Sequence, residues 1–92
     1  MIEEILKDRG DKYGEFKNRA IISQKMKSTI YEGMKRSGKD EGDIPDYMWE
    51  ALDMIAHKIS RIVNGDPFYD DSWIDIVGYA QLVIDELRRN IK

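Results

Sequence analysis

Apolar residues recur near every 3.6 positions through most of this chain, and nowhere do they alternate with a period of two over a useful length. Ile22, Met26, Ile30 and Met34 follow one another at four-residue intervals, which lays them on one helix face. Met48, Leu52, Ile55, Ile59, Ile62 and Val63 make a second such face. Trp73, Ile76, Ala80, Val83, Ile84 and Leu87 make a third, expected to be a core stripe. The pattern predicts an all-α chain without strands: a compact bundle of three main helices plus a short N-terminal helix.

Punctuation residues set the expected boundaries. Ile2 to about Arg9 reads as the short first helix, interrupted by Gly10 and Gly14. Asp11 to Phe16 reads as a loop holding two aromatics. Asn18 is the expected N-cap of the second helix, which runs to about Ser37. Gly38 to Asp43 is polar and reads as a loop. Pro45 suits the first turn of a third helix, which ends near Asn64 with Gly65 as its stop. Asp66-Pro67-Phe68-Tyr69 reads as a turn, and Asp70 or Asp71 caps a fourth helix reaching about Asn90.

With 92 residues the chain is expected to be a single domain over 1–92. So short a chain has a thin core, and small helical domains often complete theirs by oligomerising. A homodimer or a higher even oligomer is expected, with the chain itself as one partner. The formal net charge of −3 disfavours general nucleic-acid binding, because no basic excess meets the phosphates. There are no cysteines, so thiolate nucleophiles and zinc-thiolate sites are excluded. The start lacks a basic and then apolar leader pattern, and no apolar run approaches the roughly 20 residues that span a bilayer. The expected compartment is the cytosol, with no membrane partner.

Two helices carry candidate chemistry opposite their apolar faces. On the third, Glu50, Asp53, His57 and Arg61 fall within a sector of about 80°. Neighbouring carboxylates can share a divalent cation through oxygen. His57 can act as acid, base or ligand, and Arg61 with the flanking Lys58 can meet phosphate oxygens. Equally, these residues form the solvated face of an amphipathic helix. On the fourth helix Asp71 and Asp75 sit one turn apart, and the same side carries Gly78, Tyr79 and Leu82. The acids suit the positive end of the helix dipole. Glycine inside a helix is costly, so Gly78 suggests a ligand or another backbone close by. Tyr13 and Phe16 flank Gly14; they can stack on a base, with Arg9 or Lys12 near a phosphate, or pin the loop as core residues. Trp49 and Trp73 are expected in the core or at an interface.

Three strings carry a resemblance: Arg9-x-x-x-Tyr13-Gly14-x-Phe16-x-Asn18, the run from Glu50 to Pro67, and Asp71-Ser-Trp-Ile-Asp75-Ile-Val-Gly-Tyr79. Together they resemble a family of small, uncharacterised phage and prophage proteins, over most of the chain except the loop around Gly38 to Asp46. The resemblance implies a viral or prophage origin and no particular activity. More distantly, the layout is similar to the all-α nucleotide pyrophosphohydrolase (MazG-like) superfamily, in which acidic pairs on successive helices hold magnesium against nucleotide phosphates. By that resemblance Glu50 and Asp53 match the first pair and are the catalytic candidates. Asp75 matches the last acid of the second pair. Ser72 stands three residues before Asp75, where the second pair has its glutamate; the nearest acid, Asp71, is four before.

Three functions follow from these features. In the first, Glu50, Asp53, Asp71 and Asp75 bind Mg²⁺, and the chain hydrolyses a phosphoanhydride of a nucleotide. Lys58 and Arg61 then hold phosphates, and Tyr13 or Phe16 holds the base. In the second, the chain is a non-catalytic sponge that sequesters a nucleotide signal, cyclic ones included, and so counters host anti-phage defence. Arg9, Lys58 and Arg61 then meet phosphates, while aromatics clamp the bases. In the third, the chain is a helical protein-interaction module. In the first two, ligand is expected between the stripe Glu50, Asp53, His57 and Arg61 and the pair Asp71 and Asp75 of the neighbouring helix or of a second subunit, with Tyr79 beside it.

Overall fold

A computed structural model describes residues 1–90. It contains α1 (Ile2–Tyr13), α2 (Phe16–Arg36), a 3-10 turn (Glu41–Asp43), α3 (Asp46–Asn64) and α4 (Asp71–Asn90), with no strand among the described residues. The helical periodicity is therefore realised, and α3 and α4 keep their expected bounds.

The N-terminal third differs from expectation. α1 runs through Gly10 to Tyr13, and α2 begins at Phe16, so the expected six-residue loop shrinks to Gly14 and Glu15. Gly10 weakens a helix by only about 1 kcal/mol and does not stop one. Gly14 does stop it, because its φ of 78° is a left-handed conformation that other residues rarely adopt. Asn18 is therefore inside α2, where its side chain reaches Asn64 at 2.6 Å instead of capping.

Helix α3 is the centre of the molecule, with α2 along one side and α4 along the other. The small residues Ala51, Ala56 and Ser60 are buried on it, and small side chains let neighbouring helices approach closely. At the far end Trp49 donates its indole N–H to the carbonyl of Glu41 at 3.1 Å, tying the 3-10 turn to α3.

At the opposite end two turns interlock. Asp66 N–H donates to the Lys12 carbonyl at 2.8 Å. The Asn64 amide donates to the carbonyls of Tyr13 and Glu15, each at 2.9 Å. The approach demands glycine on both strands of chain: a Cβ on Gly14 would overlap Asn64, and one on Gly65 would overlap Lys12 and Tyr13. This joint carries Tyr13 to the end of α3.

The three longer helices form the expected bundle, spread as a layer with α3 in the middle. Its extents are 48 × 29 × 22 Å and its radius of gyration is 15.5 Å, against about 12 Å for a compact chain of this length. The buried apolar residues are Met34, Ala51, Ala56 and Ile62. The stripe expected as core on α4 is largely open: Trp73 is 52% exposed, and Ile84 and Leu87 are also exposed. α4 turns its Ile76–Val83 edge towards α3, so residues about 90° further round the helix meet no neighbour. Gly78 has nothing within 4 Å of where a Cβ would sit, so within one chain no close approach explains it.

Candidate anion-binding site

One face of the layer is polar, and the helical register decides which of its groups meet. Lys58 on α3 is buried and its Nζ lies 3.0 Å from Asp75 Oδ2 on α4. That pair fixes the antiparallel alignment of the two helices. Eight residues earlier, Glu50 sits about 12 Å further along α3, in a groove with Tyr47, Tyr79, Leu82 and Glu86. The expected meeting of Glu50 with Asp71 and Asp75 does not occur within the chain, because antiparallel packing sends the start of α3 towards the end of α4. Asp53, half-buried, stands one turn before His57.

Asp71 is engaged elsewhere. Tyr13 donates its hydroxyl to Asp71 Oδ2 at 2.9 Å. Burial raises the Tyr13 phenol above its ordinary pKa, and the Asp71 hydrogen bond and charge raise it further. The expected approach of Arg61 to Asp71 is thus bridged by an aromatic ring: the Arg61 guanidinium lies 4.3 Å from the Tyr13 ring centroid. Such stacking leaves the guanidinium edge free to donate hydrogen bonds.

The magnesium expected from the resemblance needs several oxygen ligands around one point. Of the four acids named for it, Asp75 faces the Lys58 ammonium, Asp71 accepts from Tyr13, and Glu50 lies far along the helix. Among the described residues no three carboxylate or imidazole side chains gather where one cation could be held.

Cations, in contrast, do gather. Arg19, on α2, faces Arg61 and Arg9; burial and then these two charges depress its pKa. His57 is depressed in the same way, by burial first and then by Arg61, Arg19, Lys58 and Lys27. Arg9, Arg19, Arg61 and His57 make no ion pair among the described residues. The Nε atoms of Arg19 and Arg61 are buried without a hydrogen-bond partner, as is the Oγ of Ser23, one turn after Arg19. Burying such donors unpaired is costly.

A concavity of about 480 Å³ opens beside this cluster, lined by Leu6, Arg9, Gly10, Glu15, Phe16 and Arg19. Phe16 is 70% exposed, and the Arg19 guanidinium lies 5.2 Å from its ring centroid. The site thus offers guanidinium donors and an open aromatic surface, with the Glu15 carboxylate on its rim.

Of the residues expected to bind ligand, the structure brings Arg9, Tyr13, Phe16, His57 and Arg61 to one end of the molecule. Lys58 lies beside them but is committed to Asp75. Tyr79 lies two turns away along α4, against Glu50. Arg19, Ser23 and Lys27 carry no motif and are not among the residues expected from sequence to bind ligand. Their i, i+4 spacing places three polar residues beside the apolar stripe of α2, and that was the available signal. No helix is long and apolar enough to cross a membrane among the described residues. The chain matches no family model, no curated protein and no solved structure.

Proposed function

We propose that this chain is a phage-type protein that captures a nucleotide, cyclic ones included, through its phosphates and holds it without turnover. The carrying observation is that Arg9 and Arg19 line one concavity beside Phe16, with Arg61 stacked on Tyr13 at the same end, and that none of the three makes an ion pair among the described residues. Like charges this close repel, and burial adds to the cost. A phosphate relieves both by accepting the unused guanidinium N–H bonds and supplying the countercharge. Phe16 then offers a face on which a base can stack, and Tyr13 holds Arg61 in position from behind. Binding of this kind needs no metal, which agrees with acids already committed to Lys58 and Tyr13. Sequestration of a nucleotide immune signal in the host cytosol is the role that fits a binder of phage origin.

The test is incubation with a panel of linear and cyclic nucleotides, with and without Mg²⁺, followed by analysis of the recovered ligand. The expected result is Mg²⁺-independent binding and intact ligand. Arg61→Ala and Arg19→Ala should each weaken binding about 30- to 100-fold, as loss of a charge-assisted contact implies. Release of monophosphate and pyrophosphate in the presence of Mg²⁺ would replace this proposal with the hydrolase reading. Undiminished binding by both arginine variants would move the site elsewhere.

A further inference from the structure

The face of the layer opposite the cationic cluster is apolar and open. On α4, Trp73, Val77, Ala80, Ile84 and Leu87 follow each other at intervals of four, three, four and three residues. That is the spacing of a helix–helix seam. All five are exposed; Trp73 at 52% and Val77 at 68% are the most so among the four large ones. Beside them a groove lined by Met48, Leu52, Ile55 and Val83 continues the apolar surface onto α3.

We infer that two copies of the chain pair through this face, α4 against α4 in antiparallel orientation, with the two-fold axis at Ala80. Three observations select a second copy as the occupant. The first is area. The chain exposes 6951 Å², whereas a compact monomer of 10.8 kDa exposes about 5,500 Å². The excess, about 1,400 Å², is more than the roughly 800 Å² each partner contributes to a standard stable interface. The second is symmetry. Trp73 and Leu87 each lie seven residues from Ala80, and Val77 and Ile84 lie three and four residues from it, so antiparallel pairing sets Trp73 against Leu87 of the second copy and Val77 close to Ile84. Ala80, the small residue, falls where the two helices approach most closely. The third is charge. Antiparallel pairing opposes the helix dipoles and brings acidic Asp70 near the basic last turn with Arg88. A lipid surface fits less well, because Asp71, Asp75, Asp85 and Glu86 make α4 acidic where an interfacial helix is basic.

Sedimentation of the full chain at high micromolar concentration tests the pairing. The expected mass is an even multiple of 10.8 kDa. Val77 is exposed in the single chain, so Val77→Asp should keep the helical circular dichroism while weakening association about tenfold or more. The chain has no cysteine, so Ala80→Cys reports the axis directly: under mild oxidation it should form a covalent dimer. Lys35→Cys, on exposed α2, should not. A folded chain of monomer mass would overturn the inference, and its sedimentation with phosphatidylcholine vesicles would assign the face to lipid. An assembly unaffected by Val77→Asp would also overturn it. An assembly in which Ala80→Cys cross-links no faster than Lys35→Cys would overturn the register.

Discussion

Helix α3 has two different electrostatic neighbourhoods on its two sides. Towards α4, charges are paired: Lys58 meets Asp75, and Asp71 accepts the Tyr13 hydroxyl. Towards α2 and α1, cations meet cations, and two guanidinium Nε atoms are buried without a partner. Both sides draw on one polar stripe of α3, since Lys58 and Arg61 are three residues apart. A paired, buried charge holds the fold in register. An unpaired cluster of like charge costs stability, and under the proposed function a phosphate offsets that cost.

The joint between the two turns carries both sides, so breaking it should have the largest effect. In Gly65→Ala the new methyl overlaps backbone of Lys12 and Tyr13, which no side-chain rotation relieves. The expected loss is on the order of 4 kcal/mol, read as a lower denaturant midpoint, with ligand binding lost alongside.

A sharper separation of the two sides comes from paired substitutions. Lys58→Ala leaves Asp75 without its partner. Because the Asp75 side chain is 38% exposed, water recovers part of the loss, and about 2 kcal/mol of destabilisation is expected. Arg19→Ala removes a cation from the repelling cluster. Without ligand its stability should equal or exceed that of the parent, by up to about 1 kcal/mol, because like-charge repulsion and a buried unpaired donor are removed. Chemical denaturation of both variants checks the contrast, and an Arg19→Ala chain as unstable as Lys58→Ala would erase it.

The smallest effect is the titration of His57. Its pKa is lowered in the folded chain, by burial and by the surrounding cations, from an ordinary 6.5. The folded state therefore binds fewer protons than the unfolded one once pH falls to about that value. Stability without ligand should be unaffected well above pH 6.5 and should decline as pH falls through and below it. A bound phosphate reverses the local charge and raises the His57 pKa, so affinity should increase on acidification over the same window. Imidazole chemical shifts followed by NMR, with and without nucleotide, give both pKa values. A downward shift on ligand addition would place the phosphate away from His57.

Local chemistry made the helices legible. Apolar spacing, Gly65 as a stop and the Asp66–Tyr69 turn act within a few residues, and α3 and α4 lie where those signals put them. The end of α1 was less legible, because Gly10 and Gly14 look alike in sequence. Only the contact of Gly14 with Asn64, fifty residues on, makes it the one that breaks the helix. The aromatic and basic candidates Arg9, Tyr13, Phe16, His57 and Arg61 were legible by residue type. Arg19 was less so: its i, i+4 spacing with Ser23 and Lys27 marks a polar edge of α2, but only tertiary packing sets Arg19 beside Arg9.

Residues three or four apart are enough to set the all-α class, the span of the two C-terminal helices and a polar stripe along α3, because backbone hydrogen bonding and face periodicity act over that distance. Tertiary structure alone decided which charges meet. The interlocked glycine turns and the Lys58–Asp75 register bring Tyr13 between Arg61 and Asp71 and carry Glu50 away from Asp75. They also leave the α4 seam uncovered. Contacts between helices depend on how one rod is shifted and rotated against another, and a displacement of one helical turn, about 5 Å, exchanges every partner.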